Sequence, residues 1–220
     1  MERTPLGNEM VMPATAPKNE ARARGVGRDW RVCLPSVRGA VVTLRELRST
    51  DARSLLAMLS TDEVARFISS PPTTVAGFER FIAWTQRERA AGRYVCFGIV
   101  PKGMDVAIGL IQVRQLDPQF ATAEWGFALG SSFWGTGVFH EAAELVIEFT
   151  FDVMGVHRLE ARAAVKNGRG NGALRKLGAT QEGILRRSLL RNGEYLDQVL
   201  WTVLASEWRT LQLACGPSVH

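Results

Sequence analysis

Apolar and polar positions follow two periods along the chain, and the change from one to the other marks its elements. Val41-Val-Thr-Leu44 is a β-branched run and predicts a first strand. Ser49-Thr-Asp51 offers an N-cap to a short helix over Ala52–Leu59. A second helical piece covers roughly Asp62–Ile68 and stops at Ser69-Ser70-Pro71-Pro72. Thr73-Thr74 caps a longer helix through Arg89, in which Phe78, Ile82 and Trp84 or Thr85 recur at helical spacing.

Strands then come in quick succession. Tyr94–Val100 and Val106–Val113 flank a turn at Pro101–Asp105 and read as a hairpin. Glu124–Leu129 alternates Trp125, Phe127 and Leu129 with Glu124, Gly126 and Ala128. The first face is core-like; the second is small apart from one carboxylate, which leaves room for a ligand. The turn Gly130–Gly137 leads into a helix from about Val138 to Met154, with Val138, Ala142, Leu145, Val146, Phe149 and Val153 as its apolar stripe. The strand Arg158–Val165 follows, so this stretch is a βαβ unit whose two strands run parallel. A short helix at about Gly170–Leu177 ends at Gly178. Ile184–Arg191 and Glu194–Leu204 flank Asn192-Gly193, a strong hairpin signal. The pattern predicts a mixed α/β sheet, antiparallel at its ends and parallel in the middle, with flanking helices.

Residues 1–39 break this regularity. Pro5, Pro13, Pro17 and Pro35 and several glycines, without sustained apolar periodicity, predict a flexible or loosely docked extension. Trp30, Val32 and Leu34 are the residues able to fix its end to the body. The expected organisation is this extension, a domain over 40–210, and a tail over 211–220.

Composition narrows the partners. With 220 residues, 46% of them hydrophobic, the chain can build one sizeable core. A net charge of +5 favours anionic partners. The basic residues are scattered apart from Arg22, Arg24 and Arg28, which argues against a dedicated nucleic-acid face. Three cysteines without metal-like spacing, and no apolar run of signal or membrane length, predict a cytoplasmic protein with no metal site.

The glycine turn is where chemistry is expected. A helix start presents unpaired N–H groups and the positive end of the helix dipole, and so suits a phosphate. Gly135 and Gly137 allow the backbone to bend and approach a ligand closely, although a tight strand-to-helix connection would need the same glycines. A Walker loop would need Gly-Lys-Ser/Thr, and a dinucleotide fingerprint would need a small residue where His140 stands.

Trp134-Gly-Thr-Gly-Val-Phe-His-Glu-Ala142 resembles the pyrophosphate-binding motif of the GNAT acetyltransferases, especially the branch that modifies ribosomal-protein N-termini. Ala123-Glu-Trp-Gly-Phe127 looks like that branch's fourth strand. Asn167-Gly-Arg-Gly-Asn-Gly-Ala-Leu-Arg-Lys-Leu-Gly178 is similar to its Asn, Arg-Ser, Lys-Leu-Gly segment. Arg191-Asn-Gly193, Asp197 and Glu207-Trp208 resemble its closing hairpin and last strand, so the match runs from about Val41 to Trp208.

The resemblance implies a sheet in which two parallel strands splay apart and hold an acyl-coenzyme A between them. The pantetheine arm would run along Phe127, Ala128 and Leu129. The pyrophosphate would sit on N–H groups of Gly135, Thr136, Gly137, Val138 and Phe139, with Trp134 covering the cofactor and Asn167 contacting its arm. The implied reaction is transfer of an acetyl or other short acyl group from the thioester to an amine. The acceptor would be a protein N-terminus or a small amine, and the chain a monomer or a homodimer.

Glu124 is the candidate base, directly or through a water, because it shares the small face of its strand; the alternative is a carboxylate paired with Arg93 or Arg114. His140, beside the phosphate turn, is the weaker candidate. Phe139 stands where the family has a small residue, Gly170 replaces a serine that is a candidate proton donor, and Ala179 replaces an aromatic. Tyr94 and Tyr195 do not sit at the position of a family tyrosine acid, so no general acid is assigned. A non-catalytic acyl-coenzyme A-binding module is the alternative function.

Overall fold

The computed structural model describes residues 29–191 and 193–215. Residues 1–28 of the expected extension, Asn192 of the expected hairpin turn, and 216–220 of the expected tail lie outside the described residues.

Strands β1 (Val37–Arg38) and β2 (Val42–Glu46) are followed by helices α1 (Ala52–Leu59), α2 (Asp62–Ala65) and α3 (Val75–Ala90). Next come β3 (Tyr94–Pro101), β4 (Gly109–Gln115) and β5 (Thr122–Leu129), then α4 (Val138–Asp152) and β6 (Arg158–Ala164). The chain closes with α5 (Gly168–Lys176), β7 (Thr180–Arg191), β8 (Glu194–Leu204) and α6 (Ala205–Cys215). All eight strands form one sheet in the order β1-β2-β3-β4-β5-β6-β8-β7. Every neighbouring pair is antiparallel except β5 and β6, which are parallel.

The alternation along β3 explains why the sheet is covered on both faces. Val95, Phe97 and Ile99 join the core beneath α4, with Trp125, Val146 and Phe149. Tyr94, Cys96 and Val100 join the core beneath α1 and α3, with Leu55, Phe78 and Ile82. On β5, Trp125 and Leu129 enter the first core, as the alternation predicts, while Ala128 packs into the second.

The structure differs from the sequence reading in several places. Asp51 stands at the start of α1 but makes no cap bond. Its carboxylate accepts from the Arg45 guanidinium at 2.8 and 2.9 Å and from the N–H groups of Arg48 and Ala107 at 2.8 and 3.0 Å. A buried guanidinium needs a charged partner more than a helix end needs a cap. Glu207 and Trp208 lie in helix α6 rather than a last strand; β8 ends at Leu204, where its partner strand β6 begins with Arg158. Trp30 and Leu34, two of the residues expected to fix the end of the extension, are buried; Arg89 donates to the carbonyl of Arg31, and β1 pairs with β2. Val32 remains exposed. Among the described residues no helix is long and apolar enough to cross a membrane.

Candidate functional site

The site begins where two strands part. β5 and β6 share three register pairs, Thr122↔Arg158, Ala123↔Leu159 and Glu124↔Glu160. Beyond these, β6 stays paired with β8 as far as Ala164↔Gln198, while β5 continues against β4 alone. The second edge of β5 is thereby freed from Trp125 onward. A cavity of about 890 Å³ opens there, lined by Phe127, Ala128 and Leu129 of that strand.

Local chemistry builds the turn that follows. The Trp134 indole N–H donates to the Leu129 carbonyl at 3.0 Å, folding the ring back over the strand end. Gly135 and Gly137 have φ of 78° and 86°, and a Cβ at either would meet nothing within 4 Å. Their requirement is therefore conformational, not steric. Gly137 is the N-cap of α4 and supplies no side-chain cap; the first helical bond is the one from the Glu141 N–H to its carbonyl, at 3.2 Å. The N–H groups of Val138, Phe139 and His140 thus lie in the unpaired first turn of a 15-residue helix, at the positive end of its dipole. That is the chemistry of an anion site, beside an apolar strand edge.

Trp134, Gly135, Gly137, Phe139, His140 and Asn167 all face the same cavity as Phe127, Ala128 and Leu129. The Phe139 ring lies on Phe127 with centroids 4.3 Å apart, so its bulk is taken up against the strand. Thr136 and Val138 do not line the cavity. The Thr136 hydroxyl donates to the Phe133 carbonyl at 2.8 Å, and the Val138 side chain is buried in the core. Their backbone can still serve an anion where their side chains cannot.

Glu124 also stands apart from the cavity lining. It lies at the closed end of the splay, where Arg114 donates to its carboxylate at 2.6 Å and Arg162 approaches to 3.8 Å. Arg93 pairs with Glu88 instead, at 2.9 Å. This ion pair is one rung of a charged row that continues across the sheet through Glu160, Arg158 and Glu182.

Asn167 is the N-cap of α5: its side-chain oxygen accepts from the Gly170 N–H at 2.9 Å. A Cβ on Gly170 would come within 2.6 Å of the Asn167 amide nitrogen, so the capping side chain occupies the space that a serine there would need. Tyr94 is buried and donates to Gln112, and Tyr195 is exposed on the hairpin.

Sequence reasoning missed three parts of the site. The segment around α2, with Glu63, Arg66, Phe67 and Ile68, forms a wall of the cavity. Arg169 lies over the Trp134 ring at 4.2 Å and Lys176 lines the same space, giving the cavity a basic side. Buried Asn171 locks α5 to the sheet, donating to the Ala164 carbonyl at 2.9 Å and accepting from the Trp201 indole at 2.8 Å. The Asn-Gly-Arg-Gly-Asn run leads into the expected short helix, but nothing in it says which asparagine is buried.

A splayed parallel pair with a glycine-initiated helix at its opening defines the class of protein. The acetyltransferase (GNAT) domain family matches residues 42–180, and the chain belongs to that family. It is 28% identical over 168 residues to the uncharacterized N-acetyltransferase p20 of Bacillus licheniformis, spanning 76% of this chain and 94% of that protein. It is 29% identical over 83 residues to the ribosomal protein uS5-alanine N-acetyltransferase of Escherichia coli, covering 38% of this chain and 43% of that one. The fold is shared with Mycobacterium smegmatis RimJ, solved in complex with CoA-disulfide: TM-score 0.71 at 22% identity, over 80% of this chain and 89% of RimJ.

Proposed function

We propose that the chain transfers an acetyl or other short acyl group from an acyl-coenzyme A thioester to a primary amine, releasing coenzyme A. The observation that carries this reading is the cavity at the splay, bounded by the free edge of β5 and the unpaired first turn of α4. The cavity fits the cofactor in kind: an edge able to pair with the amide-bearing pantetheine arm, an N–H cradle from Gly135 to Phe139 for the pyrophosphate, and Arg169 and Lys176 to balance its charge. Bound there, acyl-coenzyme A supplies an activated carbonyl to which the neutral amine adds as the thiolate departs.

Glu124 is proposed to take the amine proton through a water, because its own carboxylate is held by Arg114 outside the cavity lining. Gly170 brings no acid, so the departing thiolate would draw its proton from solvent. A protein N-terminus is the acceptor suggested by the uS5-alanine acetyltransferase relative. A cytoplasmic location belongs to the same reading, and free Cys33 and Cys96 suit a reducing compartment.

The test is isothermal titration with acetyl-coenzyme A and coenzyme A, with Gly137→Trp as a blocked-loop control. Micromolar binding that the control loses supports the site. Thiol release is then followed with a panel containing spermidine and short peptides beginning with alanine or serine. The capped, serine-free start of α5 favours one other reading, a non-catalytic acyl-coenzyme A-binding module. It would show tight binding without thiol release for any amine.

A further inference from the structure

The two halves of the sheet meet side by side only at the closed end of the splay, through the three register pairs from Thr122↔Arg158 to Glu124↔Glu160. At the open end, the β7–β8 hairpin runs on past its neighbour. β6 stops at Ala164 opposite Gln198, whereas the hairpin continues to Arg191 opposite Glu194. From that tip Arg191 reaches across to the other half. Its Nη2 donates to the Ala65 carbonyl at 2.7 Å, and its Nη1 donates to the Ser70 hydroxyl. These partners are 126 and 121 residues away in sequence.

Ala65 and Ser70 belong to the segment between α1 and α3, whose Glu63, Arg66, Phe67 and Ile68 form a wall of the cavity. Helix α2 within it has only four residues, too short to hold itself. Val64 and Ala65 anchor it from below, and the Ser60 hydroxyl donates to the Pro72 carbonyl at 3.2 Å at its base. Arg191 anchors it from the opposite side. Its Nε is buried and makes no hydrogen bond within the protein, so the two terminal nitrogens carry its protein contacts.

We propose that Arg191 is a positioning residue that clamps the α2 wall across the open end of the splay and so sets the width of the amine entrance. This rests on reading the cavity as an acyl-transfer cleft. With the β5 edge and the start of α4 given to the cofactor, the α2 wall is the side from which an acceptor approaches. Arg191 does not itself line the cavity. It acts by fixing where Glu63, Arg66 and Phe67 stand.

Two variants test this. Arg191→Met keeps the length of the side chain and removes the donors; Arg191→Lys restores one donor and the charge. Hydrogen exchange of the amides of residues 63–70 should quicken at least tenfold in Arg191→Met and recover partly in Arg191→Lys, since hydrogen bonds from a charged group are worth about that factor or more. With acetyl-coenzyme A and an amine that the parent accepts, spermidine or an alanine-first peptide, the acceptor KM should rise about tenfold. The kcat should change much less, and the acetyl-coenzyme A dissociation constant should stay within twofold. Unchanged exchange at 63–70 overturns the proposal, as does a loss confined to kcat. If the parent fails to bind acetyl-coenzyme A, the acyl-transfer reading falls by that result alone, while the exchange experiment still decides whether Arg191 clamps the wall.

Discussion

Arg114 donates to the Glu124 carboxylate at 2.6 Å across the β4–β5 ladder, in which the two residues are direct register partners. The pair is half-shielded, with Glu124 far less exposed than Arg114. A carboxylate so placed can orient a water toward the cleft while its charge stays balanced. Glu124→Gln should lower kcat by about a hundredfold, the usual scale for losing a general base, and leave the acetyl-coenzyme A dissociation constant unchanged. An unaltered kcat would assign Glu124 to the ion-pair row alone.

The glycine turn makes a sharper prediction because space and conformation separate there. A methyl group on Gly137 would touch nothing, yet the residue has φ of 86°. Gly137→Ala should therefore cost about 1–2 kcal/mol of stability from the left-handed backbone alone. Relief of that strain would swing the N–H groups of Val138 and Phe139, so acetyl-coenzyme A binding should weaken as well. Thermal unfolding and titration measure the two effects; a variant as stable as the parent would contradict the strain argument.

Phe139 occupies a small residue's place, but its ring rests on Phe127, which in turn lies 5.6 Å from Trp125. Phe127 and Phe139 both line the cavity, so the tilted pair forms part of its apolar wall. Phe139→Ala should lose about 1 kcal/mol of stability from the ring contact and bind acetyl-coenzyme A a few-fold more weakly. Tighter binding would show that the ring obstructs the pyrophosphate instead.

Acid stability should depend on Asp51. Burial by itself would raise its pKa, but the Arg45 hydrogen bonds, the Arg48 and Ala107 N–H groups and the Arg45 charge outweigh burial and hold it below the ordinary value. The folded state thus favours the ionised carboxylate. Its contribution is complete above the unfolded value of about 3.9 and is lost as pH falls below that through the folded pKa. Asp51→Asn should cost about 3–5 kcal/mol at neutral pH, because it leaves a buried guanidinium without its charged partner. It should also flatten the fall in stability below about pH 4, as read from urea titrations over a pH series.

A second carboxylate ties the entry of the fold to the site. Glu141, in the first turn of α4, accepts from the N–H groups of Val41 and Val42 at 2.9 Å and also from Ala40. Gly39 permits this approach, since a Cβ there would lie 2.5 Å from the Glu141 carboxyl carbon. Glu141→Ala should lower stability by about 2 kcal/mol, a Tm shift of roughly 4–8 °C in calorimetry.

The sequence by itself determined what local periodicity and backbone preference control. The alternation of Trp125, Phe127 and Leu129 with Gly126 and Ala128 was enough to place β5 with a small-sided face. Gly135 and Gly137 marked a turn that needs positive φ, and Thr74 and Gly178 marked helix ends that the structure bears out at the Gly77 N–H and at φ of 78°. These signals are readable because they depend on neighbours a few residues apart.

What depends on distant partners was left to the tertiary structure. Asp51 looks like a helix cap until Arg45 arrives from β2 and Ala107 from the loop before β4. Gly170 looks like a lost serine until Asn167 folds into its space. Glu207 and Trp208 continue an apolar run that becomes helical because β6 offers β8 no partner beyond Arg158. The sequence marks α2 as a short helical piece but not as a wall of the cavity, and its place is fixed by Arg191, 126 residues away from Ala65. Long-range pairing, not local propensity, decided where the cleft opens and what closes its far side.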